Sequence, residues 1–308
     1  IDAIRGKKNL NIFVLHPHNR ISPVQRKLMT TGKDENVFNI AVKGNFDDCQ
    51  NLVKSMFSDT GFANTINMSG VNSINWARIV AQTVYYFYSY FQIRKQNLSF
   101  SVPTGNFGDV YAGYISKQMG LPISKFIVAT NQNDILHRAI SNGDYKSNKV
   151  KETISPSMDI QVASNFERLL YDLYDKNSQN VINIMKSIKD NSFKIEQDKL
   201  KDLRNDFDSE SLNETEVINT IKKFYEENNV VIDPHTAIGV GAVEKLNLSD
   251  VVILSTAHPC KFPVAIEKAI SKIEKLPESL NYVNDKEEKF DVISNDLEKV
   301  KDYVLRSI

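Results

Sequence analysis

Cysteine is scarce in this chain: the 308 residues hold two, Cys49 and Cys260, far apart and in no metal-ligand spacing. A chain of this size from an oxidising compartment would carry more. The expected compartment is therefore the cytoplasm, and no metal site is expected. Charge of one sign is equally lacking, since 38 Lys and Arg balance 38 Asp and Glu to a formal net charge of zero. No global field draws such a chain to nucleic acid or to an anionic membrane, so neither is expected as a partner. No apolar run approaches the ~20 residues of a membrane span. The opening "IDAIRGKKNLNIFVL" lacks the ordered charged, apolar and cleavage regions of a signal peptide. It also lacks a first methionine, and "IDAIRG" reads as the end of a helix stopped at Gly6 before a buried strand. The natural chain is accordingly expected to continue upstream.

What is present is an ordinary globular composition, 41% hydrophobic and 25% charged, enough for one large core or two linked ones. Apolar runs alternate with helical patterns. "LNIFVLH", "VFNIAVKG", "LSFSVP", "KFIVATN" and "VVILSTAH" read as strands, and amphipathic stretches such as "SPVQRKLMTT" and "FDDCQNLVKSMFSD" follow them, the latter with Asn45 as a plausible cap. This alternation is the signature of α/β architecture with parallel sheets flanked by helices. A long tyrosine-rich helix, "NWARIVAQTVYYFYSYFQIRK", joins two series of such units. We expect residues 1–92 to be the remainder of a small α/β domain and residues 93–308 a large α/β domain. Within the latter, residues 141–232 turn polar and helical and are taken as a helical insertion.

The stretch "PTGNFGD" sits between the strand "LSFSV" and the helix-like "VYAGYISKQMG". Ligands of open α/β sheets bind at carboxyl ends of strands, and N–H groups at a helix start favour an anion. Gly105 and Gly108 would let the backbone approach phosphate oxygens without an intervening Cβ, with Thr104 and Asn106 as added donors. The same glycines also suit a bare strand-to-helix turn. Its spacing is neither that of dinucleotide folds nor that of a Walker loop, so the motif alone leaves both readings open.

Five further stretches, "GVNSINWAR", "ATNQNDILHR", "SPSMDIQVASNFERLLYDLY", "DPHTAIGVGA" and "STAHPCKFPVAIEKA", join this loop in a set that resembles threonine synthase from near Ile1 to about Lys275. That family consists of pyridoxal-phosphate enzymes of fold type II, the tryptophan synthase β-like fold. Its reaction converts O-phospho-L-homoserine and water to L-threonine and phosphate. The resemblance implies that Gly105, Asn106, Phe107, Gly108 and Asp109 hold the phosphate of pyridoxal 5'-phosphate and that Thr256 pairs with its pyridine nitrogen. A hydroxyl partner is expected to leave that nitrogen largely unprotonated; otherwise Thr256 caps the helix that follows. Asp109 would repel a phosphate and equally suits the first turn of its helix.

For the substrate phosphate, Arg78, Arg168 and Lys261 are nominated, with Asn75 as a nearby donor. Each cation equally suits a solvated surface or a structural ion pair. His235 and His258 are read as turn histidines, with proton transfer as the alternative. No catalytic residue is assigned. The family's Schiff-base lysine precedes the phosphate loop, and Lys7, Lys8, Lys27, Lys33, Lys43, Lys54 and Lys95 all lie in polar contexts that do nothing to lower an amine pKa. It is expected upstream of Ile1, which would make the chain inactive alone. A non-catalytic relative that binds pyridoxal phosphate or another phospho-ligand, or acts as a partner module, is the alternative. Oligomeric state is not legible.

Overall fold

The computed structural model describes residues 1, 3–32, 34–272, 274–283 and 285–308. Residues 1–69 and 275–308 make one unit, and residues 70–274 a second.

In the first unit β1 (Ile12–Pro17), α1 (Pro23–Thr30), β2 (Val37–Lys43), α2 (Phe46–Ser58) and α3 (Thr60–Thr65) follow one another. The helices start where the sequence supplies caps. Ser22 accepts from the Gln25 N–H ahead of α1, and Asn45 with Asp48 closes a reciprocal capping box on α2. Ile40 and Val42 of β2 pack with Cys49, Leu52 and Met56 of α2 into the core of this unit. The expected N-terminal helix end is instead a pair of turns, in which Gly6 takes φ +71° and donates its N–H to the Asn36 side chain at 2.8 Å.

The second unit contains α4 (Trp76–Ile93), β3 (Leu98–Pro103), α5 (Gly108–Gln118), β4 (Ile123–Thr130), α6 (Ile135–Asn142), α7 (Phe166–Leu173), α8 (Ser178–Lys189), α9 (Gln197–Asp206), β5 (Phe207–Ser211), α10 (Glu214–Asn228), α11 (Pro234–Lys245), β6 (Val251–Ile253) and α12 (Pro263–Ile270). Its strands lie in the order β5-β4-β3-β6, all parallel. A parallel strand buried on both faces needs a continuous apolar run, and "FIVA" of β4 supplies it, with Phe126 through Ala129 fully buried. The chain then returns to the first unit as β7 (Asp291–Ser294), parallel to β2, and α13 (Leu297–Ser307). There Val300 and Val304 join the core around α2. Among the described residues no helix is long and apolar enough to cross a membrane.

Three boundaries differ from the sequence expectation. The break falls at 69/70 rather than 92/93, because α4 packs into the second unit. Its Tyr86 is fully buried, with ring centroids 4.9 and 6.0 Å from Phe100 and Phe126 and its hydroxyl donating to the Asp109 carbonyl. The last 34 residues return to the first unit rather than completing the large domain. Finally, residues 141–232 are not wholly helical: the polar stretch "FDSES" forms β5 and extends the sheet beside β4.

The seat of α5 generates a test. A Cβ at Gly113 would lie 2.6 Å from the rings of both Phe126 and Tyr86, and neither ring has room to retreat in a packed interior. Gly113→Val is expected to lower stability by about 1–3 kcal/mol, read as a lower urea midpoint at unchanged slope. An unchanged midpoint would show that α5 does not seat on these rings.

Candidate functional site

The second sheet changes direction at β3. From β3 the chain moves outward through β4 to β5, and β6 later pairs on the other side of β3. The carboxyl ends of β3 and β6 therefore flank a topological switch point, the place where open α/β sheets bind ligands. The "PTGNFGD" loop leaves β3 and "STAHP" follows β6, so two motifs 150 residues apart in sequence end at neighbouring strands.

The first loop is held from within and from the side. Asn106 Oδ1 accepts from the Gly108 N–H, and Asn106 Nδ2 donates to Ser73 Oγ at 3.1 Å. Asn165 donates to the same Ser73 oxygen at 2.9 Å, and its N–H reaches the Asn106 carbonyl at 3.0 Å. Phe107, fully buried at φ +69°, packs its ring on Phe166 and Phe207 at 5.1 and 5.9 Å. Its side chain anchors the loop to the core. The N–H groups of Gly105, Asn106 and Phe107 have no hydrogen-bond partner among the described residues. This is a row of donors at a helix start, suited to an anion. Gly105 has a second reason to be glycine, since a Cβ there would meet the Ser157 carbonyl oxygen at 2.7 Å. Asp109 is half-buried, and desolvation raises its carboxyl to about 6 against the lowering effect of the Val110 N–H bond.

Behind the second loop lies a group that the sequence did not bring forward. Asp233, 1% exposed, starts α11. Its carboxylate accepts from the His235 N–H and His235 Nδ1, both at 2.9 Å, from the Thr236 hydroxyl, from Thr256 Oγ1 at 3.1–3.2 Å and from the Ala257 N–H at 3.3 Å. Desolvation pushes this carboxyl up, yet bonds from His235 and Thr236 outweigh it and hold it below the ordinary carboxylate value. Because Nδ1 faces a carboxylate, it carries the imidazole proton, and Nε2 is left to accept the Ser157 N–H at 3.3 Å. Ser157 thus touches both halves, its carbonyl facing Gly105 and its N–H meeting His235. Its segment is pinned by Asp159, which accepts from Thr153, Asn131 and Asn133. Desolvation raises the Asp159 carboxyl despite these bonds.

The nominated cations fare unequally. Arg168 Nε donates to Asn165 Oδ1, Nη2 donates to the Ile74 carbonyl, both at 3.0 Å, and the guanidinium lies 5.5 Å from the Trp76 ring centroid. It braces the loop through Asn165. Asn75 caps α4, accepting from the Ala77 N–H and donating to the Gly70 carbonyl. Arg78 is exposed in the first turn of α4. Lys261, half-buried, lies in the short 3-10 turn that His258 caps by accepting the Cys260 N–H. Thr256 caps no helix among the described residues. Of the lysines before the loop, Lys7, Lys8, Lys43, Lys54 and Lys95 are exposed and Lys27 is half-buried; Lys33 lies outside the described residues. Ser73, Asn131, Ser157, Asp159, Asn165 and Asp233 escaped the sequence reading. Asp233 left one legible signal there, a helix cap before Pro in "DPHT".

Comparison with known proteins places this geometry. The family model "Threonine synthase, C-terminal" matches residues 236–304, so the likeness continues past Lys275, where the recognisable motifs stop. The threonine synthases of Pseudomonas aeruginosa and Saccharomyces cerevisiae are 46% and 44% identical, each over 99% of this chain and 66% of their own length. The crystal structure of pyridoxal-phosphate-bound threonine synthase from Brucella melitensis superposes with a TM-score of 0.91 at 43% identity, covering 100% of this chain and 67% of that one. The yeast enzyme's structure gives 0.87 at 42% identity. The chain spans about two thirds of the length of the curated relatives it matches. Its architecture is that of pyridoxal-phosphate fold type II, parallel sheets flanked by helices.

Asp109 gives the site a pH signature. Its value in the fold, about 6, exceeds the ordinary 3.8, so the fold prefers the protonated carboxyl. The stability this preference contributes is present below pH 3.8 and is lost as pH rises through about 6. Asp109→Asn keeps the acceptor for the Val110 N–H without the charge. It should therefore gain stability over the parent across this interval, measured as the difference in urea midpoint. A difference independent of pH would show that Asp109 ionises as freely folded as unfolded.

Proposed function

Because the chain belongs to the threonine synthase family, we propose that it forms the part of a cytoplasmic threonine synthase that holds pyridoxal 5'-phosphate. In the whole enzyme it would take part in converting O-phospho-L-homoserine and water to L-threonine and phosphate. The observation that carries this reading is the row of unpartnered N–H groups of Gly105, Asn106 and Phe107 at the start of α5. A dianionic phosphate fits such a row without any lysine, each charge-assisted bond being worth about 1.5–3 kcal/mol. Thr256, at the end of the neighbouring strand, is the group we assign to the pyridine nitrogen. When bound, the cofactor supplies an electron sink that allows a substrate proton to leave carbon and phosphate to depart. The residues of this chain position it. Phe107 and Asn165 fix the phosphate loop, Ser157 spaces that loop from His235, and Asp233 orients Thr256. Arg78 and Lys261 are the cations we assign to the substrate phosphate; Arg168 and Asn75 support the same region through their bonds to Asn165, Ile74 and Gly70.

We assign the covalent lysine to the third of the relatives' length that lies outside the match. Of the lysines before the loop, Lys95 pairs with Asp250 and Lys7, Lys8, Lys43 and Lys54 are exposed, whereas Schiff-base formation requires an amine held at the cofactor.

Two measurements test this reading. Pyridoxal 5'-phosphate should bind the chain at least about a hundredfold more tightly than pyridoxal, the equivalent of two charge-assisted bonds at the low end of their range. Equal affinities by absorbance titration would remove the phosphate assignment. Borohydride reduction of the loaded chain, followed by peptide mapping, should label no single lysine. A unique labelled lysine, together with threonine release from O-phospho-L-homoserine, would place the catalytic residue inside this chain.

A further inference from the structure

Asp233 has two carboxylate oxygens and five donors converging on them, and one of the five is the hydroxyl of Thr256. A hydroxyl has one proton. An ionised carboxylate can only accept, so at 3.1–3.2 Å from both Asp233 oxygens Thr256 must spend its proton on them. Bonds from His235 and Thr236 keep Asp233 ionised in its buried setting. The Thr236 hydroxyl donates to Asp233, and its oxygen accepts the Thr256 N–H at 3.1 Å and lies 3.3 Å from Thr256 Oγ1, so any share of the Thr256 proton it takes is still held inside the protein. The imidazole of His235 donates through Nδ1 to Asp233 and accepts through Nε2 from Ser157, so neither ring nitrogen is left to exchange a proton with Thr256. What Thr256 Oγ1 still presents to a ligand is lone pairs.

We propose that Asp233 is a positioning residue that holds the Thr256 hydroxyl as an acceptor, so that a pyridine nitrogen set against Thr256 must bring its own proton. This rests on the assignment of Thr256 made above. It reverses the expectation that a hydroxyl partner leaves the ring neutral: the threonine relays the preference of a carboxylate, and a protonated ring is the stronger electron sink.

The test reads the ring nitrogen rather than turnover. Pyridoxal 5'-phosphate labelled with 15N in the ring is bound to the chain, and its nitrogen resonance is compared with the protonated and neutral positions of the free compound. The parent chain and Thr256→Ser should show the protonated position. Thr256→Val, with no acceptor, should move the resonance to the neutral position. Asp233→Asn should do the same with Thr256 intact, because an amide can donate to Oγ1 and free the hydroxyl proton for the ring. A neutral ring in the parent would overturn the proposal. So would a shift in Thr256→Val with none in a folded Asp233→Asn, a result that keeps Thr256 at the ring while removing Asp233 from its control. Should Thr256→Val leave the resonance unmoved, or should no bound signal form, the Thr256 or the cofactor assignment fails and the proposal with it. If circular dichroism shows Asp233→Asn unfolded, Asp233→Glu takes its place. It retains a carboxylate, and the proposal requires the protonated position there.

Discussion

Burying a carboxylate is permissible only if donors replace the water it loses, and Asp233 meets that condition with groups from two separate stretches of chain. His235 and Thr236 come from the first turn of α11, Thr256 and Ala257 from the loop after β6. The carboxylate therefore both starts a helix and fixes a loop to it. Remove the charge and the loop after β6 loses its anchor, while the Thr236 hydroxyl and the His235 imidazole lose the acceptor that orients them.

From that centre the order propagates outward through directional contacts. His235 Nε2 receives the Ser157 N–H, the Ser157 carbonyl sits where a side chain of residue 105 would be, and the segment carrying Ser157 is tied to Asp159. Asp159 is served by Asn131 and Asn133 just past the end of β4. Three strand ends, those of β3, β4 and β6, are thereby linked by polar groups at one edge of the sheet. The apolar core does the complementary work. Phe107 is pressed between Phe166 and Phe207, which holds the phosphate-type loop by its one large side chain and frees the surrounding backbone N–H groups of structural duty.

Asp233 and the half-buried Asp159 are shifted in opposite directions, which shows how narrowly such networks are balanced. Desolvation raises both. At Asp233 the imidazole and hydroxyl donors outweigh it, whereas at Asp159 the bonds from Thr153 and Asn131 do not. The difference is local: only Asp233 bonds directly to an imidazole and also collects N–H groups at its own helix start.

Much of the fold and half of the site were legible in the sequence. Apolar runs such as "FIVA" and the capping pattern at Asn45 specify strands and helix starts, because burial and local hydrogen bonding act over a few residues. The glycine loop after "LSFSV" was legible for the same reason, as a strand, a turn and a helix start in succession. The tertiary structure alone decided which loops meet. "FDSES" carries no apolar pattern and becomes a strand only because β4 offers an open edge. Likewise α4 joins the second unit because Tyr86 finds Phe100 and Phe126. The role of Asp233 was invisible because a helix-capping aspartate looks the same in sequence whether its carboxylate faces water or collects a threonine hydroxyl 23 residues later. Local chemistry is written in neighbouring residues, but the direction of a hydroxyl proton depends on which distant acceptor the packing brings within hydrogen-bond reach.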